Sequence, residues 1–482
     1  MRDGGTAENP PPRTAEADTP DGTRTRTGTV PASRTPPAAA AEPPLTAVTG
    51  VRQVLAVVLP VRLLREPGEH GPGPEAGGWE TGPLPFSLGE RRTDAATRAV
   101  HFAPASARVL YGTPDRPRRW HRPASVEHGG LLLEGLELLR TATVRGPDCA
   151  LAVLHFTVAR PLLPVLRAIG HRPGADPDPL TGPLDPGRLL GDVAEVRDPV
   201  GTFAIARPYT VAFLTPGPGP GHAPALRSTP QTPVPPGADR WLWQLASRSQ
   251  PSDYPLAPET AAEELSRAVR ISADWSALVL RHGAAFLGHR PDPGGDEDFH
   301  AFAALHARTV YLDALLLGSL QRDHIDELTD ELAAVFDTPR LAPRVAALER
   351  NIARFRSTYW RQHLTAHGPA NGLLLAFQNQ HRLPERFTGI LAEAADYSRL
   401  VQTQESQQIS GALGVLTILG LPLGTALGIL QVLGDESPTH LLAALGLAVA
   451  VTAAALTTRY GRLVLSSLRG TPDPGPGRRP RR

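Results

Sequence analysis

Lysine is absent from this 482-residue chain, so all 49 basic side chains are arginine. The absence reads as the coding bias of a GC-rich genome rather than a functional choice of guanidinium over ammonium. Cysteine is limited to Cys149, which excludes an internal disulfide and any cysteine-based zinc cluster. It sits in the apolar run CALAVLHFTV and is expected to be a buried small hydrophobe. Excess charge is missing too: the formal net charge is +1, so no nucleic-acid partner is expected. The first 44 residues hold no apolar run, and a cleaved leader is therefore not expected. No Ser-His-Asp, P-loop, dinucleotide-binding or HExxH pattern occurs, and no enzyme is expected. The Gly-Pro repeats at 216–221 have no strand-to-helix context and read as linker.

What the chain does have is uneven. Its 52 prolines and 46 glycines cluster in segments. Residues 1–45, rich in Pro and Thr, cannot bury enough apolar surface to offset chain entropy and are expected to be disordered. Order is expected from about residue 50. The run VLAVVLPV at 54–61 reads as a buried strand, 100–110 as a weaker strand, and 131–139 as strand or helix. Residues 149–158 read as a strand and 161–169 as a helix with Pro161 in its first turn. Residues 200–214 suggest two short strands around Arg207 and Pro208, and 269–288 a hairpin turning at His282-Gly283 or else a helix. Mixed strands and helices predict an α/β or α+β cytoplasmic domain over 50–290. It would carry structureless Pro/Gly-rich loops at 170–187 and 216–237.

From Asp296, a plausible N-cap, the pattern becomes helical: Phe302, Leu305, Thr309, Leu312 and Leu316 alternate by three and four. One helix is expected to about Asp337. A second follows Pro343 on Val345, Leu348, Ile352, Phe355 and Tyr359, until His367-Gly368-Pro369 breaks it. A third begins near Pro384, with Phe387, Leu391, Ala394, Tyr397, Val401, Gln404 and Gln408 at the spacing of a coiled-coil or bundle seam. Residues 296–408 thus form a helical stalk.

No stop signal separates that third helix from residues 409–433, ISGALGVLTILGLPLGTALGILQVL, 25 residues without a charge. As a helix this run would be roughly 37 Å long, enough for a ~30 Å hydrocarbon core. An acidic loop at 434–440 and a second apolar run at 441–458 follow, then a basic tail at 459–482. The expected ending is a two-helix transmembrane hairpin in the plasma membrane, with both termini cytoplasmic because the arginines follow the second span. Within 409–433, Ser410, Thr417, Gly424 and Gln431 fall seven apart, with Gly428 and Thr425 beside them. This small and polar stripe suits either close helix packing or the lining of a pore in a symmetric oligomer. Asp435 and Glu436 could draw cations to an outer mouth or form a polar turn. Asp323, Asp326, Glu327, Asp330 and Glu331, with His324, crowd one helix and read as a solvated face. His282, His289, His300 and His306 lack the spacing of helical metal ligands and read as surface histidines.

This order of elements, with Leu416-Thr417-Ile418, then Pro422-Leu423 and Gly428-Ile429, resembles the CorA-like divalent-cation transporters. The family's Gly-Met-Asn signature is replaced by Gln431-Val432-Leu433. The resemblance implies a homo-oligomer, a pentamer, in the lipid bilayer, passing a divalent cation such as Mg²⁺, with no other cofactor. Because the signature is replaced, two functions stay open: a cation channel or transporter, and a membrane-anchored sensor or effector that uses the scaffold without transport. A membrane-tethered enzyme is a distant third.

Overall fold

In a computed structural model of the chain, the described residues are 52–67, 78–89, 91–141, 148–197, 208–215, 237–290, 299–337, 341–360, 368–433 and 438–457. The chain divides into two units, Met1–Glu42 and Pro43–Arg482, and every described residue belongs to the second. The expected disorder of 1–45, the loop at 216–236, the N-cap Asp296, the acidic loop with Asp435 and Glu436, and the basic tail all lie outside the described residues.

The first half builds a sheet. β1 (Arg52–Leu63) is followed by β2 (Glu80–Thr81), a small hairpin of β3 (Phe86–Leu88) and β4 (Arg91–Thr93), and helices α1 (Ala95–Ala99) and α2 (Pro104–Tyr111). A second small pair, β5 (Gly112–Thr113) and β6 (Arg116–Pro117), leads into three long antiparallel strands: β7 (Arg119–His128), β8 (Leu131–Arg140) and β9 (Cys149–Val158). Helices α3 (Leu162–Ile169) and α4 (Pro186–Leu190) and the strands β10 (Ala194–Val196) and β11 (Tyr209–Thr215) come next. After α5 (Ala238–Ser247) and α6 (Pro258–Ser266), β12 (Val269–Ser272), β13 (Trp275–Leu280) and β14 (Gly283–Gly288) complete the sheet.

Its strand order is β12-β13-β14-β11-β1-β9-β8-β7-β2, with β10 also on β1. β1 is central and antiparallel to both neighbours, Val57 lying opposite Leu154 and Thr210. β11 and β14 are parallel, with Ala212 opposite Ala285. Because β1 is covered on both faces, its side chains divide between two cores: Val54, Ala56 and Val58 on one, Leu55, Val57, Leu59 and Val61 on the other. A strand buried on both faces reads as a continuous apolar run, and this is why the alternation expected of a half-exposed strand is missing from VLAVVLPV.

The second half supplies helices to the face carrying Val54: α7 (Phe299–Arg308), α8 (Val310–Ala333), α9 (Leu341–Thr358), α10 (Pro369–Gln380) and the first part of α11 (Leu383–Leu433). α3 and α5 cover the opposite face. The last helix, α12 (Pro438–Thr457), packs beside α11.

Several expectations are corrected. Residues 104–111 are helical, because Pro104 sits at a helix N-terminus and Val109, Leu110 and Tyr111 turn one face inward. Residues 299–333 are two helices, broken at Thr309, whose φ/ψ of −120/−94° lies outside the helical region. Helix α10 was unforeseen; it follows the Gly368-Pro369 break, with Pro at its start. The 170–187 loop is partly ordered, running into α4, which Asp185 caps by accepting from the Arg188 N–H. The 269–288 hairpin is present, but it turns at Arg281-His282. Cys149 is half-buried rather than buried. His300 and His289 are 0% and 2% exposed, not surface residues.

The largest correction concerns the C-terminal end. Among the described residues no helix is long and apolar enough to cross a membrane. The transmembrane hairpin in the expected fold class, the membrane and transmembrane assignments, and the multi-pass plasma-membrane location are therefore withdrawn. Freedom from charge is a weaker property than apolarity. Residues 409–433 include five glycines besides Ser410, Thr417, Pro422, Thr425 and Gln431. The fold is mixed α/β, with one large sheet between helical layers and a 51-residue helix, α11.

Candidate functional site

The expected site residues on α11 are all present on one continuous helix, and Ser410, Thr417, Gly424, Thr425, Gly428 and Gln431 are all exposed. Each threonine hydroxyl is committed to its own helix: Thr417 Oγ1 donates to the Leu413 carbonyl at 2.9 Å and Thr425 Oγ1 to that of Leu421 at 2.6 Å. A Cβ built on Gly420, Gly424 or Gly428 meets nothing within 4 Å. The glycine row is therefore open, and α12 does not fill it. Around it stand exposed Leu413, Leu421, Leu427, Ile429 and Val432 on α11, with Leu442 and Leu447 on α12.

The acidic residues of α8 are dispersed among partners. Asp323 accepts from Arg322 at 3.1 Å, Asp326 from Arg386, and Glu331 from the Asn351 amide at 2.9 Å. Glu327 lies 3.7 Å from His324. No group of three or more His, Cys, Asp or Glu is placed to hold a metal ion among the described residues.

A site unforeseen from the sequence lies where the sheet meets α8. On β7, β8 and β9 the face toward the helices carries Arg119, Glu137 and His155, in line with apolar Leu139, Leu151 and Val153. Arg119 and Glu137 are fully buried. Arg119 Nε donates to Glu137 Oε2 at 2.9 Å, and its Nη1 reaches across to Asp313 Oδ1 on α8 at 2.5 Å. Tyr111, at the end of α2, donates to Asp313 Oδ2 at 2.8 Å. Arg98 of α1 adds Nη1 to the same oxygen at 3.4 Å and also donates to the Leu84 carbonyl. The Leu84 N–H closes the circuit onto Glu137 Oε1 at 2.7 Å, and His155 Nε2 stands 3.4 Å from that oxygen.

Two guanidinium groups thus face two carboxylates with no access to water. Burial by itself would push the Glu137 carboxyl up, but the Arg119 charge outweighs it and holds the group far below the ordinary carboxylate range. Burial, reinforced by the Asp313 charge, pushes the Tyr111 phenol well above its usual value, so Tyr111 is a fixed donor. Such a network binds nothing from solvent. What it does is join α1, α2, β7, β8 and α8 in one arrangement, since leaving any member unpaired in a dry interior is costly.

A signal for it was in the sequence. Glu137 and Asp313 are carboxylates set in apolar runs, LEGLELL (which also holds Glu134) and YLDALLL, where an unpaired buried charge would be strongly unfavourable. Arg98 and Arg119 carry no such mark, because the first lies in a polar stretch and the second beside Arg118. Comparison with family models, curated proteins and solved structures gives no match to this chain.

Proposed function

We propose that the chain is a self-assembling binding or effector protein with a CorA-like order of elements, working without ion transport. Its sheet domain would be the part that engages a ligand or partner, and the α11–α12 arm the part that joins copies. The observation that carries this is the open glycine row on α11 among exposed leucines. A solvent-exposed apolar stretch of this extent marks an interaction surface, and small residues four apart permit close approach of helices. The committed hydroxyls of Thr417 and Thr425 favour packing over the lining of an ion path. Replacement of the Gly-Met-Asn signature by Gln431-Val432-Leu433 points the same way.

The experiment is the mass of the purified full chain by light scattering, beside Gly424→Leu. A multimer is expected, with five copies the number the resemblance implies, and Gly424→Leu should lower the mass. A monomer at micromolar concentration, or recovery of the chain only with lipid vesicles on flotation, would overturn the reading.

A further inference from the structure

At one end of the sheet, away from the buried network, four segments converge. Tyr209 begins β11; Arg281 and His282 form the turn between β13 and β14; Arg322 lies in mid-α8; His381, Arg382 and Arg386 span the passage from α10 to α11. The backbone holds these segments together. The Thr210 N–H donates to the His282 carbonyl at 3.3 Å, tying the turn to β11. The Tyr209 ring meets Phe377 edge-on at 5.6 Å, and the His381 ring lies 4.3 Å from the same Phe377. Gln378 donates to Gln321 at 2.9 Å, locking α10 to α8 one residue from Arg322.

Two polar groups here are buried and unsatisfied. Tyr209 is 7% exposed and His381 9%, yet neither Tyr209 Oη nor His381 Nε2 has a hydrogen-bond partner among the described residues. A buried donor without a partner is costly and calls for an explanation. The charge around them is unequal. Arg322 is matched by Asp323 and Arg386 by Asp326. Arg281, exposed on the turn, has no carboxylate partner among the described residues, and His282 stands beside it.

The geometry points to an oxyanion site of the phosphate class between the β13–β14 turn and the α10–α11 passage, with Tyr209 Oη and His381 Nε2 as buried donors and Arg281 as the cation at the entrance. The arginine fork and two neutral donors suit a tetrahedral oxyanion, which takes several short charge-assisted hydrogen bonds. All the groups belong to one chain, so the site goes beyond the assembly reading and does not depend on it. Burial, and then the charges of Arg322, Arg281, His282 and Arg386, pull His381 down to about 3. A bound anion would counter those charges, so occupancy should raise the pKa of His381.

The test titrates the full chain with inorganic phosphate and with pyrophosphate, read by calorimetry and by the histidine imidazole resonances. Saturable binding is expected, with the His381 resonance titrating at higher pH in the loaded protein. Preference for pyrophosphate would point to a larger phosphorylated ligand, and preference for phosphate to the free ion. Arg281→Glu, an exposed substitution, should weaken binding at least tenfold with the melting temperature unchanged. Tyr209→Phe should weaken binding several-fold while leaving the unliganded protein as stable or more so, because it removes an unsatisfied hydroxyl. No saturation at millimolar concentration of either anion, or unchanged affinity in both variants, would overturn the site. Light scattering on the same samples separates that outcome from failure of self-assembly.

Discussion

Asp313 illustrates how much one carboxylate can carry when it has no water. It accepts from Arg119, Tyr111 and Arg98, which come from three different elements. Asp313→Asn keeps the shape but leaves two guanidinium groups facing one carboxylate. The expected loss is about 3 kcal/mol by urea denaturation, the size found when one partner of a buried pair is removed. Arg119→Met combined with Asp313→Leu and Glu137→Leu should cost less than the three separate losses added together, and strict additivity would contradict the coupling. Acid should act on the same residues. The folded Glu137 pKa is depressed, so its contribution is complete above the unfolded value near 4.5 and is lost as pH falls below it. His381 acts in the same direction but earlier: with a folded value of about 3 against 6.5 unfolded, its share fades as pH falls from 6.5. Urea midpoints should therefore drop between pH 7 and pH 5, and the drop should shrink in His381→Gln.

At the scale of elements, close approach of α8 to α10 rests on Gly318. A Cβ there would lie 2.6 Å from Phe377 Cδ1, a ring with no exposure and no room to swing. Gly318→Ala should cost about 1–3 kcal/mol, against the helix-propensity gain expected at an unpacked position. A rise in melting temperature would show that the helices can part without loss. The same scale shows what the sequence disclosed and what it hid. β1 and β9 were legible because each is a long apolar run between turn residues. The helical spacing of Val345, Leu348, Ile352 and Phe355 was legible because all four are buried on one face of α9. Helix α2 was hidden because AVHFAPASARVL, at 99–110, alternates no better as helix than as strand, and packing on α8 decides it. The buried network was half hidden. Acids in apolar runs announce themselves, but nothing in sequence tells which distant arginine will meet them.

Taken as a whole, the described residues concentrate their exposed large hydrophobic side chains on the last two helices, α11 and α12, while the sheet and α7–α10 expose few, such as Leu375 and Val196. The reading of 409–433 from sequence began with the absence of charge and went on to a bilayer; what the structure leaves is an apolar arm with an open glycine row. If copies meet through that row, assembly should be sensitive to bulk and insensitive to salt, because no charge lies between Ile409 and Leu433. Light scattering across a salt series, on the wild type and on Gly428→Leu, checks both halves. Dissociation at high salt in the wild type would show that the joining surface lies elsewhere.

α11 also has a mechanical consequence. It is a single helix of 51 residues, about 77 Å long at ~1.5 Å per residue, and among its described side chains the last one buried toward the arm is Val401. Beyond Val401 it contacts α12, and none of its described side chains joins the core beside the sheet. The root is gripped where Arg386 meets Asp326 and Phe387 meets Phe355 and Trp360. A tilt of ~5° at that grip would carry the far end, roughly 69 Å away, through roughly 6 Å, less any bend taken up at Pro422 inside the helix. A small repacking beside His381 and Arg386 would thus arrive at Gln431 magnified, the way a short pull on an oar handle becomes a long sweep of the blade.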